Sequence, residues 1–275
     1  MNRLPVSKRA AVLRCLVEGS SIRSTVRITG VAKDTVSRLL IDAGRVCADY
    51  QDRTLRNLRC ERPQLDEIWS FVYAKQKNVP TAKAAPEGAG DIWTWVAIDA
   101  ETKLVPSWLV GNRDGETAKA FVADLASRLA ARVQITSDGL KLYVDAVEDA
   151  FGADVDYAML VKLYGDAPEG QKRHSPAECV GCTRALVTGK PDPAHVSTSF
   201  AERQNLTMRM QMRRFTRLTN GFSRKVANHE AMVALHFMVY NFVRTHQTLG
   251  VTPAMAGGVT DRLWEIEDAT KLLRA

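Results

Sequence analysis

Apolar residues recur at helical spacing near the start of the chain, with turn-forming residues between the groups. They predict three short helices, over 7–19, 21–30 and 32–50. In the third helix the apolar residues would face inward and leave the polar residues of its first turns outward. These outward residues are Lys33, Asp34, Thr35, Ser37 and Arg38. A helix-turn-helix module presents its recognition residues to DNA in this way, and a three-helix bundle without that role is the alternative.

A different pattern begins near residue 64, where aromatic and β-branched runs replace the helical spacing. The first three runs predict an antiparallel meander of strands at 65–75, 91–100 and 103–111. Helical and strand patterns then alternate along the chain. This part predicts helices at 115–130 and 141–152 and strands at 133–139 and 154–165. The fold class is therefore α/β, a mixed sheet flanked by helices, with an N-terminal all-α module.

The remaining segments set the expected domain bounds. Residues 166–198 contain scattered Pro and Gly and predict an insertion without a long regular element. A polar, basic helix is expected in 195–225, a strongly apolar helix over 228–247, and a short final helix in the tail. We expect a helix-turn-helix module at 1–50, a linker at 51–63, a large domain at 64–250 and a tail at 251–275.

The positive charge of the chain is unevenly distributed. The 275 residues carry a net charge of +7, with 45% apolar and 25% charged residues. Residues 1–62 contain thirteen Lys and Arg against six Asp and Glu, a surplus of seven, so the rest of the chain is neutral overall. A basic N-terminal module favours nucleic acid as the partner.

Cysteine usage and hydropathy indicate the compartment. Five cysteines, an odd number, do not describe a disulfide framework and fit a reducing environment. We expect neither a signal peptide nor a membrane span, because the early apolar segment is interrupted by Arg14 and the late one is too short. The expectation is a cytoplasmic, nucleoid-associated protein with no membrane partner.

One acidic residue stands directly before a run whose charged residues are all basic. Between Arg203 and Lys225 there are seven Arg or Lys and no Asp or Glu, and Glu202 precedes them. Arginines hold a phosphate backbone by charge and paired hydrogen bonds. The candidate DNA-binding residues of this run are Arg203, Arg209, Arg213 and Arg214. The alternative for Glu202 is a carboxylate that stabilises the N-terminus of its own helix.

Two further carboxylates could join Glu202. Asp66 lies in the first predicted strand, and Asp138 lies just past the strand residues QITS, where a sheet presents side chains beyond its strand ends. Three acids that converge from strands and a helix are typical of a two-metal phosphoryl-transfer site, because Mg²⁺ binds oxygen ligands. The candidate metal ligands and catalytic residues are therefore Asp66, Asp138 and Glu202.

Other acids and histidines have simpler interpretations. Strand alternation points Glu67 to the face opposite Asp66, so only one of the two is expected to serve. Asp99 is better explained by a hairpin turn, and Asp145 and Asp149 by a solvated helix surface. His229 and His236 are expected to pack in a core. His246 is either a packed residue at a helix end or a residue that faces DNA.

Cys179 and Cys182 form the sequence CVGC, with His174 before it and His195 after it. Two thiolates and two imidazoles could form a structural Zn²⁺ site that stiffens the insertion. Neither histidine has the spacing of a zinc finger, so a chain without this metal is the alternative.

Four segments together resemble a known family: LDEIWSFVYAK, TSDG, SFAERQNLTMRMQMRRFTR and YNFVRTHQTLGVTPAMAGG. In this order they are similar to bacterial insertion-sequence transposases of the DDE superfamily, particularly the insertion sequence one family, over about 66–258. The resemblance implies a ribonuclease-H-like domain in which Asp66, Asp138 and Glu202 bind metal. It also implies that Arg209, seven residues after Glu202, holds DNA near the scissile phosphate. The interval between Asp138 and Glu202 is longer than in compact integrases.

The resemblance implies an enzyme that cuts at the terminal inverted repeats of a mobile element and joins the freed 3′ hydroxyl to target DNA. Two Mg²⁺ ions, with Mn²⁺ as a substitute, and at least a dimer are implied with it. One alternative is a non-catalytic helix-turn-helix regulator. The other is a nuclease of the same fold that cuts without joining.

Overall fold

A six-stranded mixed sheet forms the centre of the molecule, in a computed structural model that describes residues 4–165, 178–216 and 219–274. The strand order is β3-β2-β1-β4-β5-β6. The strands are β1 (Pro63–Val72), β2 (Gly90–Asp99), β3 (Ser107–Gly111), β4 (Gln134–Ser137), β5 (Asp156–Tyr164) and β6 (Cys179–Thr188). β1, β2 and β3 pair antiparallel, β4 is parallel to both β1 and β5, and β6 is antiparallel to β5.

Nine α-helices lie in the described part of the chain. They are α1 (Val6–Val17), α2 (Ile22–Thr29), α3 (Lys33–Thr54), α4 (Gly115–Arg128), α5 (Leu142–Phe151), α6 (Ser199–Gln211), α7 (Val226–Met238), α8 (Pro253–Ala256) and α9 (Ile266–Lys271). The end of α7 continues as a π-helix, Val239–Val243.

Alternation along β1 sends its side chains into two cores, one on each face of the sheet. Leu65 packs with Trp95 and Phe121 in the core beneath α4 and α5. Ile68, on the opposite face, packs with Met208 of α6. Helices on both faces of a mixed sheet confirm the expected α/β, ribonuclease-H-like class, with helices at the N-terminus.

The N-terminal helices share a core with the rest of the chain. Residues of α1 and α3 belong to the same buried cluster as α7 and α9. α3 lies directly against α7, where Gly44 leaves no room for a side chain next to Ala231. The buried Gln51 of α3 donates a hydrogen bond to the backbone oxygen of Ala234. α3 also continues to Thr54, four residues into the expected linker at 51–63.

Two expectations about regular structure were wrong. The insertion expected to lack a long element contains the ten-residue strand β6, which extends the sheet beyond β5. Its side chains are mostly exposed, so the strand lacks the alternation that marks a half-buried strand. The expected basic helix ends at Gln211, because Met212 is buried in an extended conformation that turns the chain toward the end of β1. Arg213 and Arg214 therefore lie beyond α6, in a short 3₁₀ turn.

Within the described ranges, no helix is both long enough and apolar enough to span a bilayer.

Candidate metal centre

Asp66, Asp138 and Glu202 line one cavity of about 370 Å³ at the end of β4. Asp66 comes from β1, Asp138 from the residue after β4, and Glu202 from the first turn of α6. The rest of the wall consists of Gly139 and of β5 residues Leu160, Val161, Lys162 and Tyr164. The cavity therefore brings together carboxylates that are distant in sequence.

The two aspartates are held in fixed orientations. The Asn205 amide nitrogen donates to Asp66 Oδ2 at 2.8 Å, and the Glu67 backbone N–H donates to Asp66 Oδ1 at 2.9 Å. Asp138 Oδ1 accepts the backbone N–H of Leu140 at 3.0 Å, which orients the turn that leads into α5. Both carboxylates are thus positioned before any ligand binds.

Glu67 joins the aspartates, although strand alternation was expected to exclude it. Carboxylate oxygens of Asp66, Glu67 and Asp138 lie within 4.8 Å of one another. β4 pairs with β1 only at Gln64 and Leu65 and ends at Ser137. Asp66 and Glu67 do project from opposite faces of β1. Because β4 has already ended, no strand separates the two side chains at this edge, and both reach Asp138.

The crowded negative charge changes the acidity of the site. Burial, together with the neighbouring Glu67 and Asp138, raises the pKa of Asp66 to about 7. Burial and Asp138 also raise the pKa of Glu67, while Arg113 and Tyr143 oppose that rise. Such a cluster favours a bound proton or a bound cation. Its ligands are all oxygen atoms, which suits Mg²⁺ or Mn²⁺.

Glu202 lines the cavity but its carboxylate is engaged by a lysine. Lys162 Nζ lies 2.5 Å from Glu202 Oε1, and the Thr198 hydroxyl donates to the same oxygen at 2.6 Å. Burial acts to lower the pKa of Lys162, but the hydrogen bond that Lys162 donates to Glu202 and the charge of that carboxylate raise it overall. Glu202 is not in the group of oxygens that lie within 4.8 Å of one another.

The basic residues of the run after Glu202 occupy different environments. Arg203 is exposed on α6, and Arg209 is half-buried near the end of that helix. Arg214 Nε donates to Ser223 Oγ at 2.6 Å, which ties the chain after α6 to the segment beside β1. Arg213 is half-buried in the same turn. At the N-terminus, Lys33 and Arg38 are exposed on α3, while Thr35 and Ser37 are half-buried.

The other acids and histidines behave as the sequence indicates. The Asp99 carboxylate accepts backbone N–H groups of Glu61, Arg62 and Thr102, as expected of a hairpin residue. Asp145 is exposed and Asp149 pairs with Lys119 on the surface. His229 and His236 are buried, and their pKa values fall to about 3 because burial disfavours the charged ring. His246 is half-exposed, and burial lowers its pKa.

Cys179 and Cys182 are exposed free cysteines on β6. His195 lies near Arg62 and Asp192, while His174 falls outside the described residues. Among the side chains with described positions, Asp66, Glu67 and Asp138 form the one group close enough to hold a metal. The zinc hypothesis therefore gains no support from these residues.

No family model and no curated protein matches the chain. Among solved structures, the chain is similar to the piggyBac transposase in a synaptic complex with hairpin DNA. The identity is 11%, the match covers 98% of this chain and 69% of that one, and the TM-score is 0.43. It is also similar to the Mos1 strand transfer complex, at 14% identity, 87% and 79% coverage and a TM-score of 0.25. Both scores are low, so the functional argument depends on the site itself.

Proposed function

We propose that this chain is a DNA transposase that cleaves at the ends of a mobile element and joins the freed 3′ hydroxyl to target DNA. The observation that carries the proposal is the convergence of Asp66, Asp138 and Glu202 on one cavity. The three residues come from two neighbouring parallel strands and a helix, and all charged residues from Arg203 to Lys225 are basic. Carboxylates beside arginines suit a polyanionic substrate that binds through metal ions.

Two divalent cations, Mg²⁺ or Mn²⁺, would be held by Asp66, Asp138 and Glu202. When bound, they would activate the attacking oxygen and neutralise the charge that develops on the leaving oxygen. Side chains of this protein would position the carboxylates and the DNA for that chemistry. Asn205 fixes Asp66, Lys162 would contact a phosphate oxygen at the cavity, and Arg209 would hold the DNA backbone nearby. Water and a 3′ hydroxyl are interchangeable nucleophiles in such a site, so one cavity serves cleavage and joining.

The α1–α3 module would select the element ends. Lys33, Thr35, Ser37 and Arg38 lie at the start of α3, the position from which a recognition helix contacts base edges and phosphates. Arg203 and Arg213 would hold further phosphates, whereas the Arg214 guanidinium is buried and donates to Ser223, so the expected phosphate contact of Arg214 is not part of the proposal. Two ends must be joined in concert, so the proposal includes a homo-oligomer, at least a dimer.

The test uses duplex oligonucleotides tiled across the DNA on both sides of the coding sequence, labelled at one end, with a supercoiled plasmid as target. We expect Mg²⁺- or Mn²⁺-dependent cleavage at two related sequences and joining of the labelled strand to the plasmid. Asp66→Asn, Asp138→Asn and Glu202→Gln should each reduce cleavage about 10²-fold or more and leave duplex binding in place. The matched control is Asp145→Asn, which removes an exposed acid of α5.

Two outcomes would replace this proposal. Binding to the tiled duplexes without cleavage, under every divalent cation tried, would favour a regulator. Cleavage without any product joined to the plasmid would favour a nuclease.

A further inference from the structure

The strand register gives Glu67 access to the cavity end of the sheet. β4 stops opposite Leu65, so the next two residues of β1 have no neighbour on that side. Asp66 projects toward α6 and Glu67 toward α5, and Asp138 lies where β4 would have continued. Both acidic side chains therefore flank Asp138 from opposite faces of the sheet.

Glu67 is held firmly in this place. Arg113 Nε lies 2.8 Å from Glu67 Oε1, and the Tyr143 hydroxyl donates to Oε2 at 3.1 Å. The Glu67 side chain is only 3% exposed, whereas that of its partner Arg113 is 43% exposed. A buried carboxylate costs free energy unless it is paired. These two donors hold the Glu67 carboxylate in place beside the aspartates.

A second buried polar group lies at the same place. Asn205 is 6% exposed and donates through its nitrogen to Asp66, but its amide oxygen has no hydrogen-bond partner. A buried acceptor without a donor is uncommon and calls for an explanation. Because the Asn205 amide lies against Asp66, its unpaired oxygen suits the water shell of a hydrated cation, whose waters would donate to it.

In the DNA-free chain, Glu202 lies outside the group of closely spaced carboxylate oxygens. Its Oε1 accepts from both Lys162 and Thr198. A cation that bound through this oxygen would have to displace an ammonium group of the same charge sign.

We propose that the DNA-free protein holds one divalent cation through Asp66, Glu67 and Asp138, and that Glu202 becomes a ligand only when a DNA phosphate draws Lys162 away. This inference rests on the proposed function, because it assumes that DNA enters the cavity. Glu67 would thus be the third carboxylate of the resting site. Arg113 and Tyr143 are positioning residues that act through Glu67.

The experiment measures Mn²⁺ binding to the full chain without DNA, by the loss of the free Mn²⁺ signal in electron paramagnetic resonance. Glu67→Gln keeps the shape of the side chain and removes its charge. We expect it to weaken the first Mn²⁺ site about 10-fold or more, while Glu202→Gln changes that affinity by less than about twofold. Tyr143→Phe, which removes one donor but keeps the ring, should weaken binding by a smaller factor.

Controls separate a lost ligand from a lost fold. Circular dichroism and thermal unfolding should match the parent chain for each variant, and Asp145→Asn should bind Mn²⁺ as the parent does. Equal losses in Glu67→Gln and Glu202→Gln, or unchanged binding in Glu67→Gln, would overturn the inference. If Glu67→Gln were unfolded, unchanged Mn²⁺ binding in Tyr143→Phe would overturn it as well.

The two proposals fail separately. If the chain cleaved no DNA but Glu67→Gln weakened Mn²⁺ binding and Glu202→Gln did not, the transposase proposal would fail and the cation-site proposal would stand. If the parent chain cleaved DNA but the two variants bound Mn²⁺ equally, the cation-site proposal would fail and the transposase proposal would stand.

Discussion

Lys162 Nζ lies 2.5 Å from Glu202 Oε1, so the third expected metal ligand is paired with a cation of the chain itself. Both side chains are partly exposed, at 31% and 42%, and such a pair stabilises a fold only weakly. The pair therefore matters mainly to the site, because the ammonium group occupies a place where a metal ion would otherwise interact with the same carboxylate.

Lys162→Met keeps the aliphatic part of the side chain and removes its charge. Glu202 is then released, so we expect the DNA-free chain to bind Mn²⁺ about 3- to 10-fold more tightly. Affinity for duplex DNA should fall, because a phosphate contact is lost. Electron paramagnetic resonance and a filter-binding assay measure the two effects.

Lys119→Met is the matched control, because Lys119 pairs with Asp149 on the surface away from the cavity. It should change neither quantity. Unchanged Mn²⁺ affinity in Lys162→Met would show that the lysine does not compete with the cation.

The raised pKa of Asp66, about 7, predicts how pH affects cation binding. Below pH 7 the carboxyl holds a proton that a cation must displace. Mn²⁺ affinity should therefore rise by up to about tenfold per pH unit between pH 5.5 and 7 and then level off. Titrations at fixed ionic strength measure this slope, and an affinity that is flat across this range would contradict it.

The same group affects stability in the opposite direction. Its pKa is higher in the folded chain than in the unfolded one, near 3.8, so the stability it contributes at low pH is lost as pH rises through 7. Asp66→Asn should remove this loss. The difference in free energy of unfolding between Asp66→Asn and the parent, measured without metal, should grow from pH 5 to pH 8. Added Mg²⁺ should stabilise only the parent.

His229 predicts a separate sensitivity to acid. It is fully buried, both ring nitrogens lack a hydrogen-bond partner, and its ring lies 5.0 Å from that of Phe215. Its pKa is about 3 in the folded chain against 6.5 for an ordinary histidine. Stability is therefore lost as pH falls below 6.5, because the unfolded chain gains a proton first.

His229→Phe keeps an aromatic ring and removes this proton site. The free energy of unfolding of the variant, minus that of the parent, should be about 2 kcal/mol larger at pH 5 than at pH 7.5. Urea unfolding at the two pH values gives the difference. An equal effect at both would show that the histidine is already protonated, or is partnered, in the folded chain.

Sequence patterns predicted those parts of the site that depend on local order. The meander of β1 to β3 follows from aromatic and β-branched runs, and the position of Asp138 follows from the end of a short strand. The hairpin role of Asp99 also follows from its turn sequence. In each case the signal lies within a few residues of the feature that it predicts.

The errors concern relations between distant segments. Alternation along β1 predicts the face of the sheet from which Glu67 projects. It does not predict that β4 ends opposite Leu65, so that side chains from both faces of the sheet can reach Asp138. Likewise, nothing local in residues 199–211 indicates that Lys162, forty residues before Glu202, will pair with it. A strand exposed on both faces, such as β6, lacks the apolar alternation that would have revealed it.

The salt dependence of DNA binding tests the N-terminal module. Lys33 and Arg38 are exposed at the start of α3. If each contacts one phosphate, Lys33→Ala and Arg38→Ala should each reduce the slope of log affinity against log salt by about 1. Lys271→Ala, which removes an exposed lysine paired with Asp268 on α9, should leave the slope unchanged. Unchanged slopes in both α3 variants would place the DNA on another surface.

The crossing of α3 and α7 provides a final prediction, about how the chain folds. A Cβ at Gly44 would lie 2.4 Å from the Cα of Ala231, and both partners are helical backbone that cannot move independently. Gly44→Ala should therefore destabilise the chain by about 1–3 kcal/mol or more. Gly115→Ala is the matched control, because a Cβ there meets nothing within 4 Å, and it should be neutral or stabilise by up to about 1 kcal/mol.

The form of the unfolding transition in Gly44→Ala also shows whether residues 1–50 unfold together with the sheet or as a separate module. Trp95 lies in the core beneath α4 and α5, on the face of the sheet away from α7. The core between α3 and α7 includes Ile68 and Val96 of the sheet, so disruption of that core should unfold the sheet as well. The fluorescence of Trp95, in a chain whose other four tryptophans are replaced by phenylalanine, and the helical circular dichroism should then shift together to lower urea. A helical signal that shifts alone, before the fluorescence, would instead show that residues 1–50 unfold as a separate module.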